Sequence, residues 1–432
     1  MASPTLRGYS FIIMGGVLLL VGVGGIEYPL TLVAGTFMLG YIYFTYMLSA
    51  AYEASLASAL VERIVDKEYV REGEEVGVTI RIKETTGRGV PRIIVEEKLP
   101  ERVVLAKGSS RYMGFLPSSG QTIIRYTVKP YMGIHVFNPL IVVGGDLLGF
   151  FQFSMKFKAR AMVKAYPAYE DMVREAFRSP IPYMGVSKSR RRGPGYDFYE
   201  LRDYEPGDEV RKIVWTASAR MGKLIVREDE AETRLRVMVL IDASSASWLG
   251  PPGDAPIDHI ARIAASIVSS IVKRGGEAGY MIYNGLGWSS KPPATGSEQL
   301  DSLLYNLASL TPPRHRGVYR LGEAVEEASL YAGRGLLFML MGWMTLRRYE
   351  ASKVVSSIRG AWGRTVLAIV VPGEASNDPV IEAARRLEAW WFRRNTRIFV
   401  EGGIIPVIAR GWESYPAVLS SIGRLVEAYA AG

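Results

Sequence analysis

Leu235-Arg-Val-Met-Val-Leu-Ile-Asp242 is an apolar run that ends in a carboxylate. A run of this kind fits a strand buried on both faces. Downstream, Ile257 to Lys273 places Ile260, Ile263, Ala264, Ile267, Val268 and Ile271 at helical spacing. The alternation continues with a strand at Ala278–Tyr283 and helices near Ser297–Ser309 and Leu321–Tyr331. Gly335–Met341 reads as a buried strand, Arg347–Arg359 as a helix, Thr365–Val371 as a strand and Asn377–Phe392 as a helix. Strand-like pieces near Ile398–Val400 and Ile404–Ile405 precede a last helix, Trp412–Tyr429. Residues 233–432 therefore read as an α/β domain with a parallel sheet covered on both faces.

This order, with Asp242 closing the first strand, resembles a von Willebrand factor A domain, a Rossmann-like α/β fold. The resemblance implies an Asp-x-Ser-x-Ser turn that, with a Thr and an Asp from two other loops, holds Mg²⁺ or Mn²⁺ at the carboxyl edge of the sheet. Asp242 and Ser244 match, but the third position is Ala246, flanked by Ser245 and Ser247. Gly317–Leu321 supplies no Thr, and Gly342-Trp-Met-Thr345 supplies no Asp. A hard cation wants oxygen ligands, and one carboxylate is a thin set. The expected site is a degenerate one, with no resident cofactor and Mg²⁺ only at the margin.

Upstream, residues 60–168 change period. Val76–Ile82, Ile93–Leu99, Thr122–Val128 and Ala161–Ala165 alternate apolar and polar residues between Gly/Pro/Ser clusters. That pattern predicts an Ig-like β-sandwich without a catalytic cluster. His135 stands alone there beside apolar neighbours.

Residues 1–55 hold two long apolar stretches, about 8–26 and 28–52, and residues 1–50 carry only Arg7 and Glu27 as charges. The first stretch would reach about 28 Å as a helix, close to the hydrocarbon thickness of a bilayer. Tyr41, Tyr43, Phe44 and Tyr46 sit toward the far end of the second, where aromatic side chains favour the interface. The pair reads as an uncleaved transmembrane hairpin. Arg7 before it, and Arg63, Lys67 and Arg71 after it, place both ends in the cytoplasm by the positive-inside tendency.

Between sandwich and α/β domain, residues 169–232 read as a linker. Ser187-Lys-Ser-Arg-Arg-Arg-Gly-Pro-Gly195 reads as a basic loop, with Lys188, Arg190, Arg191 and Arg192 forming a positive patch. Anionic lipid is its simplest partner; nucleic acid has no recognisable module here. Then follow Tyr196-Asp-Phe-Tyr-Glu-Leu-Arg-Asp-Tyr-Glu-Pro-Gly-Asp208 and Glu209-Val-Arg-Lys-Ile-Val-Trp-Thr-Ala-Ser-Ala-Arg220. This run, about 193–228, resembles the signature of the domain of unknown function 58 family. Gly193, Gly195, Phe198, Leu201, Arg202, Tyr204, Pro206, Gly207, Asp208, Arg211, Ile213, Trp215, Ser218, Ala219 and Arg220 match in register. Gly145-Asp-Leu-Leu-Gly-Phe-Phe151 resembles a turn that family members carry before the signature. The resemblance implies two membrane spans and a MoxR-type AAA+ ATPase as partner in assembling or remodelling complexes. The arginines can make forked bonds to carboxylates. They fit either an internal ion-pair lattice or a docking face for an acidic partner.

Composition narrows the chemistry. The chain has 432 residues, 52 Lys+Arg against 43 Asp+Glu, a formal charge of +9, 48% hydrophobic residues and no cysteine. Thiolate catalysis, disulfides and zinc-thiolate or iron–sulfur sites are excluded. Gly250-Pro-Pro-Gly253 lacks the Lys and Ser/Thr of a phosphate-binding loop. Asp258 and His259 are adjacent on a predicted helix and so point apart, and His315 reads as a loop residue. The sequence therefore reads as a non-enzymatic, membrane-anchored interaction or scaffold protein.

Overall fold

The computed structural model describes residues 2–24, 29–169, 187–192, 198–206, 208–233, 235–315, 317–349, 351–358, 365–371, 390–392 and 394–410. The chain divides into two compact units, Met1–Tyr166 and Pro167–Gly432.

In the first unit, strand β1 (Ser3–Pro4) precedes helices α1 (Leu6–Gly24) and α2 (Pro29–Ala57). Both helices are long and apolar enough to cross a membrane. They pack closely because small residues face the contact: a Cβ on Gly35 would lie 2.6 Å from the backbone nitrogen of Leu19. Helix α2 runs five residues past the expected end at 52. Its last turn is held by protein, with Leu56 fully buried and Ser55 Oγ donating to Glu84 Oε1 at 2.9 Å. Burial opposes the charge on Glu84, but hydrogen bonds from Thr86, Ser119 and Ser55 outweigh it and hold the carboxyl well below its usual range.

Eleven further strands follow: β2 (Leu60–Val65), β3 (Tyr69–Arg71), β4 (Val76–Lys83), β5 (Val90–Glu96), β6 (Val103–Lys107), β7 (Arg111–Leu116), β8 (Gln121–Pro130), β9 (Gly133–Val136), β10 (Leu140–Gly145), β11 (Phe151–Phe157) and β12 (Met162–Tyr166). They form a four-stranded sheet β2-β4-β8-β6, a five-stranded sheet β1-β11-β10-β5-β7 and a small sheet β3-β12-β9. The sandwich-like arrangement follows from the period-two pattern. Val76, Val78, Ile80 and Ile82 of β4 share one core with Ile93, Val95, Leu140, Val142 and Phe153 of the other sheet. The short β1 pairs with β11, so the sandwich recruits residues ahead of the hairpin that the sequence reading left outside it.

In the second unit, the expected linker contains a sheet of its own, β13 (Ser187–Arg192), β15 (Ile225–Thr233) and β14 (Phe198–Asp203) in that order, with helix α3 (Trp215–Met221) between β14 and β15. The basic run 187–192 is thus a strand and not a loop. The reason lies in its partner: the run pairs antiparallel with β15, with Lys188 in register with Glu232 and Arg192 with Glu230, and that ladder overrides the local turn-like composition.

The α/β part comprises β16 (Arg236–Asp242), α4 (Pro256–Lys273), β17 (Glu277–Tyr283), β18 (Trp288–Ala294), α5 (Glu298–Ala308), α6 (Leu321–Ala332), β19 (Leu336–Gly342), α7 (Trp343–Arg348), α8 (Ala351–Ser357), β20 (Thr365–Val371) and β21 (Ile404–Arg410). The sheet order is β18-β17-β16-β19-β20-β21. All pairs are parallel except β17–β18, so the sheet is mixed rather than wholly parallel. Pro292 and Pro293 lie in β18, where an edge strand tolerates missing amide donors. The helix expected over 347–359 is two short helices, and residues 398–400 are helical, not strand-like. Most of the expected helix 377–392 and all of 412–429 lie outside the described residues.

Candidate functional site

Strands β16 and β19 are neighbours at the centre of the sheet, where the strand order reverses direction. Open α/β sheets bind ligands in the crevice at such a point. Here the crevice is closed by the chain itself. Asp242 Oδ1 accepts the Ser244 amide at 3.0 Å, while Oδ2 accepts the Gly342 amide at 3.0 Å and the Ser247 hydroxyl at 2.7 Å. Ser244 Oγ and Thr345 Oγ1 are 2.9 Å apart. Asp242, Ser244, Ser247 and Thr345 are all fully buried. Gly342 must be glycine for this approach, because a Cβ there would lie 2.7 Å from Ser247 Oγ. Beside it, the Tyr283 hydroxyl is bonded to the carbonyls of Gly285 and Tyr319. Burial, and then the charge on Asp242, push that phenol above its ordinary range.

These residues do not fit a divalent cation. The one carboxylate already accepts on both oxygens, and the Ser244 and Thr345 hydroxyls face each other. Among the described residues, no three His, Asp or Glu groups gather to hold a metal. Sequence reasoning counted Ser244 toward the ligand set and missed the roles of Ser247 and Thr345. The Ser247 hydroxyl, five residues after its partner Asp242, was visible in the sequence, but Thr345, the partner of Ser244, lies 101 residues from it.

The histidines have structural partners. His135 is buried, with Nε2 on the Tyr131 carbonyl, and burial lowers its pKa. His259 Nε2 lies 2.7 Å from Asp254 Oδ1, while the neighbouring Asp258 accepts the Gly253 and Ala255 amides. His315 is half-buried and bonded to the Asn284 carbonyl at 3.0 Å.

The signature splits into two sets. One set builds the scaffold. Arg202 makes a forked pair with Asp208 at 2.8 and 2.6 Å, and Asp208 Oδ2 also accepts the Glu205 amide at 2.8 Å. That closes the turn through Tyr204 and Pro206; Gly207 lies outside the described residues. Ser218 is buried, donates to the Val214 carbonyl at 3.0 Å and accepts the Ile225 amide at 2.9 Å. Ile213 is buried and bridges Val226. The other set faces solvent. Trp215 is 62% exposed, Val210 63%, Met221 62%, and Leu201 and Leu224 just over 40%. Arg211 and Arg220 are exposed beside them. Phe198 lies on β14, opposite Asp229. The basic residues Lys188, Arg190, Arg191 and Arg192 lie on β13, alongside the acid-rich strand.

The forked bond has a measurable consequence. The hydrogen bond from Arg202 is the largest influence on Asp208 and holds its carboxyl at about 2. An unfolded Asp titrates near 4. The pair's contribution is therefore fully present above about pH 4 and is lost as pH falls toward about 2. We expect a carboxyl-carbon titration of Asp208 with its midpoint near the lower value, and an Arg202→Gln variant to move it up toward the ordinary one. A native midpoint at the ordinary value would remove the pair from this account.

Residues 200–374 match the family model described as "Protein of unknown function DUF58". Residues 200–374 are thus a DUF58 family region. The chain is 24% identical over 262 residues to the uncharacterized protein YeaD of Bacillus subtilis (strain 168), covering 57% of this chain and 62% of that protein. It is 30% identical over 118 residues to the uncharacterized protein Rv1480 of Mycobacterium tuberculosis (strain ATCC 25618 / H37Rv), covering 27% of this chain and 37% of that protein. The DUF58 chain thus spans less than two thirds of the length of either relative. Among solved structures, it is similar to the CARDB domain of the PF1109 protein from Pyrococcus furiosus, at 14% identity and a TM-score of 0.16. That match covers 23% of this chain and 92% of that one. A cohesin from Archaeoglobus fulgidus matches at 10% identity and a TM-score of 0.16, covering 22% and 90%.

Proposed function

We propose that this DUF58 protein is a membrane-anchored, non-enzymatic adaptor that docks a partner protein on the exposed half of its signature. The observation that carries the reading is the set Trp215, Val210 and Met221, each more than 60% exposed, beside Arg211 and Arg220 on a scaffold pinned by the Arg202–Asp208 fork. Tryptophan and arginine are the residues that most often dominate binding energy, and a rigid support lowers the entropy cost of docking. The arginines favour an acidic partner surface. The DUF58 resemblance supplies a candidate in a MoxR-type AAA+ ATPase, with the adaptor acting in complex assembly or remodelling.

The strand order around β16, with an antiparallel edge and Asp242 at the central strand end, supports a von Willebrand factor A-like domain. Its strand-end carboxylate serves structure, which favours binding without a metal over catalysis. The hairpin α1–α2 supports integral membrane attachment, and the flanking basic residues favour a cytoplasmic placement of the soluble parts. The basic strand is laid beside an acid-rich one in the same sheet, which favours a protein partner over lipid or nucleic acid.

The test is direct binding of the full chain in detergent to the purified MoxR-type ATPase of the same host. Trp215→Ala combined with Arg211→Ala should weaken binding at least about tenfold, since truncated anchors cost upward of about 1.4 kcal/mol. The unfolding midpoint should not move, because both side chains are exposed. Undiminished binding by this variant, or no binding by the native chain, would count against the reading.

A further inference from the structure

We propose that the turn at Asp146–Phe151 is a third membrane element, whose tip residues Leu147 and Leu148 enter the acyl-chain boundary of the bilayer beside the hairpin. The inference rests on the reading of α1 and α2 as membrane spans.

The depth follows from helix geometry. Helix α1 has 19 residues, about 28 Å, so it has no length to spare against a hydrocarbon core of about 30 Å. Leu6 must then lie near one edge of the core. Phe11, five residues further, lies about 7 Å inside it. The Phe150 ring sits 4.7 Å from the Phe11 ring and 6.4 Å, edge-on, from Tyr41. Phe151 meets Tyr46 at 5.5 Å. The turn is thereby held at the level of the first turns of α1.

Helix α2 gives the same level independently. Gly15 faces Leu39, Gly35 faces Leu19, and Gly22 faces Leu32. Continuing that antiparallel register puts Leu6 opposite Leu48. The remaining residues to Ala57 project about 13 Å further and end in the sandwich core. The β-rich unit therefore starts at the membrane surface without a linker, and its lowest turn reaches below that surface.

Lipid cannot satisfy backbone polar groups, so a turn near this depth must satisfy most of its own. This one satisfies those at its base. Asp146 is buried and accepts the amides of Phe150 at 3.1 Å and Phe151 at 2.6 Å. Its carbonyl accepts the Gly149 amide at 3.3 Å, and Gly149 adopts φ +75°, which favours glycine. The chain's first residues cover the outward carbonyls. The Thr5 amide donates to Phe150 O at 2.8 Å and the Thr5 hydroxyl to Gly149 O at 2.6 Å. Strand β1 pairs with β11 at the same place and shields that sheet edge. What remains outward is Leu147, 77% exposed, and Leu148, 47% exposed. An apolar tip on a turn whose base is closed by these bonds, continuous with two membrane helices, matches the acyl-chain boundary in chemistry and position.

The absence of cysteine makes the test direct. Single variants Leu147→Cys, Leu148→Cys, Met14→Cys and Glu68→Cys of the full chain are spin-labelled in phosphatidylcholine–phosphatidylglycerol vesicles. Power saturation then compares collisions with oxygen, which concentrates in lipid, and with a water-soluble nickel chelate. Labels at 147 and 148 should show an oxygen-to-nickel ratio several-fold above that at 68 and below that at 14. Nickel access at 147 and 148 equal to that at 68, with 14 still lipid-like, overturns the inference and leaves the spans standing. Low collision with both reagents assigns the tip to a protein contact and also overturns it. A water-accessible label at 14 removes the spans and the inference together.

Discussion

Replacing Arg63 with methionine destabilises the β-rich unit by about 3–5 kcal/mol, the cost of leaving a buried charge without its partner. Arg63 on β2 and Glu97 just after β5 belong to different sheets, and their side chains are 0% and 2% exposed. Arg63 Nη2 reaches both Glu97 oxygens at 2.7 and 2.9 Å, and Nη1 donates to the carbonyls of Asn138, at 3.1 Å, and Ala159. The guanidinium also lies over the Phe137 ring at 5.2 Å. One side chain thus ties the two sheets and two loops together. Burial already pushes Glu97 up, with Arg63 opposing it. Without Arg63 the carboxyl favours its neutral form still more, so the penalty grows as pH rises above the ordinary carboxylate value near 4 and shrinks below it. Denaturant unfolding followed by hydrogen exchange in β4 and β8 reads the effect. The double variant Arg63→Met with Glu97→Leu should recover most of the loss, because neither charge is then stranded. A single variant as stable as the native chain, or a double variant no better than the single, would show that the pair does not join the sheets.

Asp242→Ala is the second large effect, about 3 kcal/mol or more. It leaves the Ser244 and Gly342 amides and the Ser247 hydroxyl buried without an acceptor, and each such group costs about 1–3 kcal/mol. Asp242→Asn keeps one acceptor oxygen and should lose roughly half as much by the same reasoning. The native chain should melt at the same temperature with excess Mg²⁺ as with chelator, because the carboxylate is already committed. A melting point that rises with Mg²⁺ in the native chain, and stays flat in Asp242→Ala, would restore a metal to this crevice.

Much of the architecture was legible because its signals are periodic. The alternation of Val76, Val78, Ile80 and Ile82 announced a half-buried strand. The spacing of Ile260, Ile263, Ile267 and Ile271 announced helix α4. Errors fell where a neighbour overrode a local preference. Ser187–Arg192 looks like a solvated loop until an acidic strand is set beside it. Trp288–Ala294 has two prolines and a weak pattern, and it becomes a strand only by pairing at the sheet edge. The signature residues were all visible, but not their division of labour. Arg202 and Arg211 look alike in sequence, yet one is locked to Asp208 and the other is almost wholly exposed.

From sequence alone came the two apolar helices, the β-rich and α/β halves, the family resemblance and the exclusion of thiol chemistry. Each is a property of composition or of short-range spacing, which burial imposes on neighbours a few residues apart. Tertiary structure decided that Ser244 meets Thr345, that Arg63 bonds Glu97 across two sheets, and that Phe150 rests on Phe11. Those contacts join residues from 34 to more than a hundred positions apart. Sheet order and helix register choose such partners, and no local pattern encodes them.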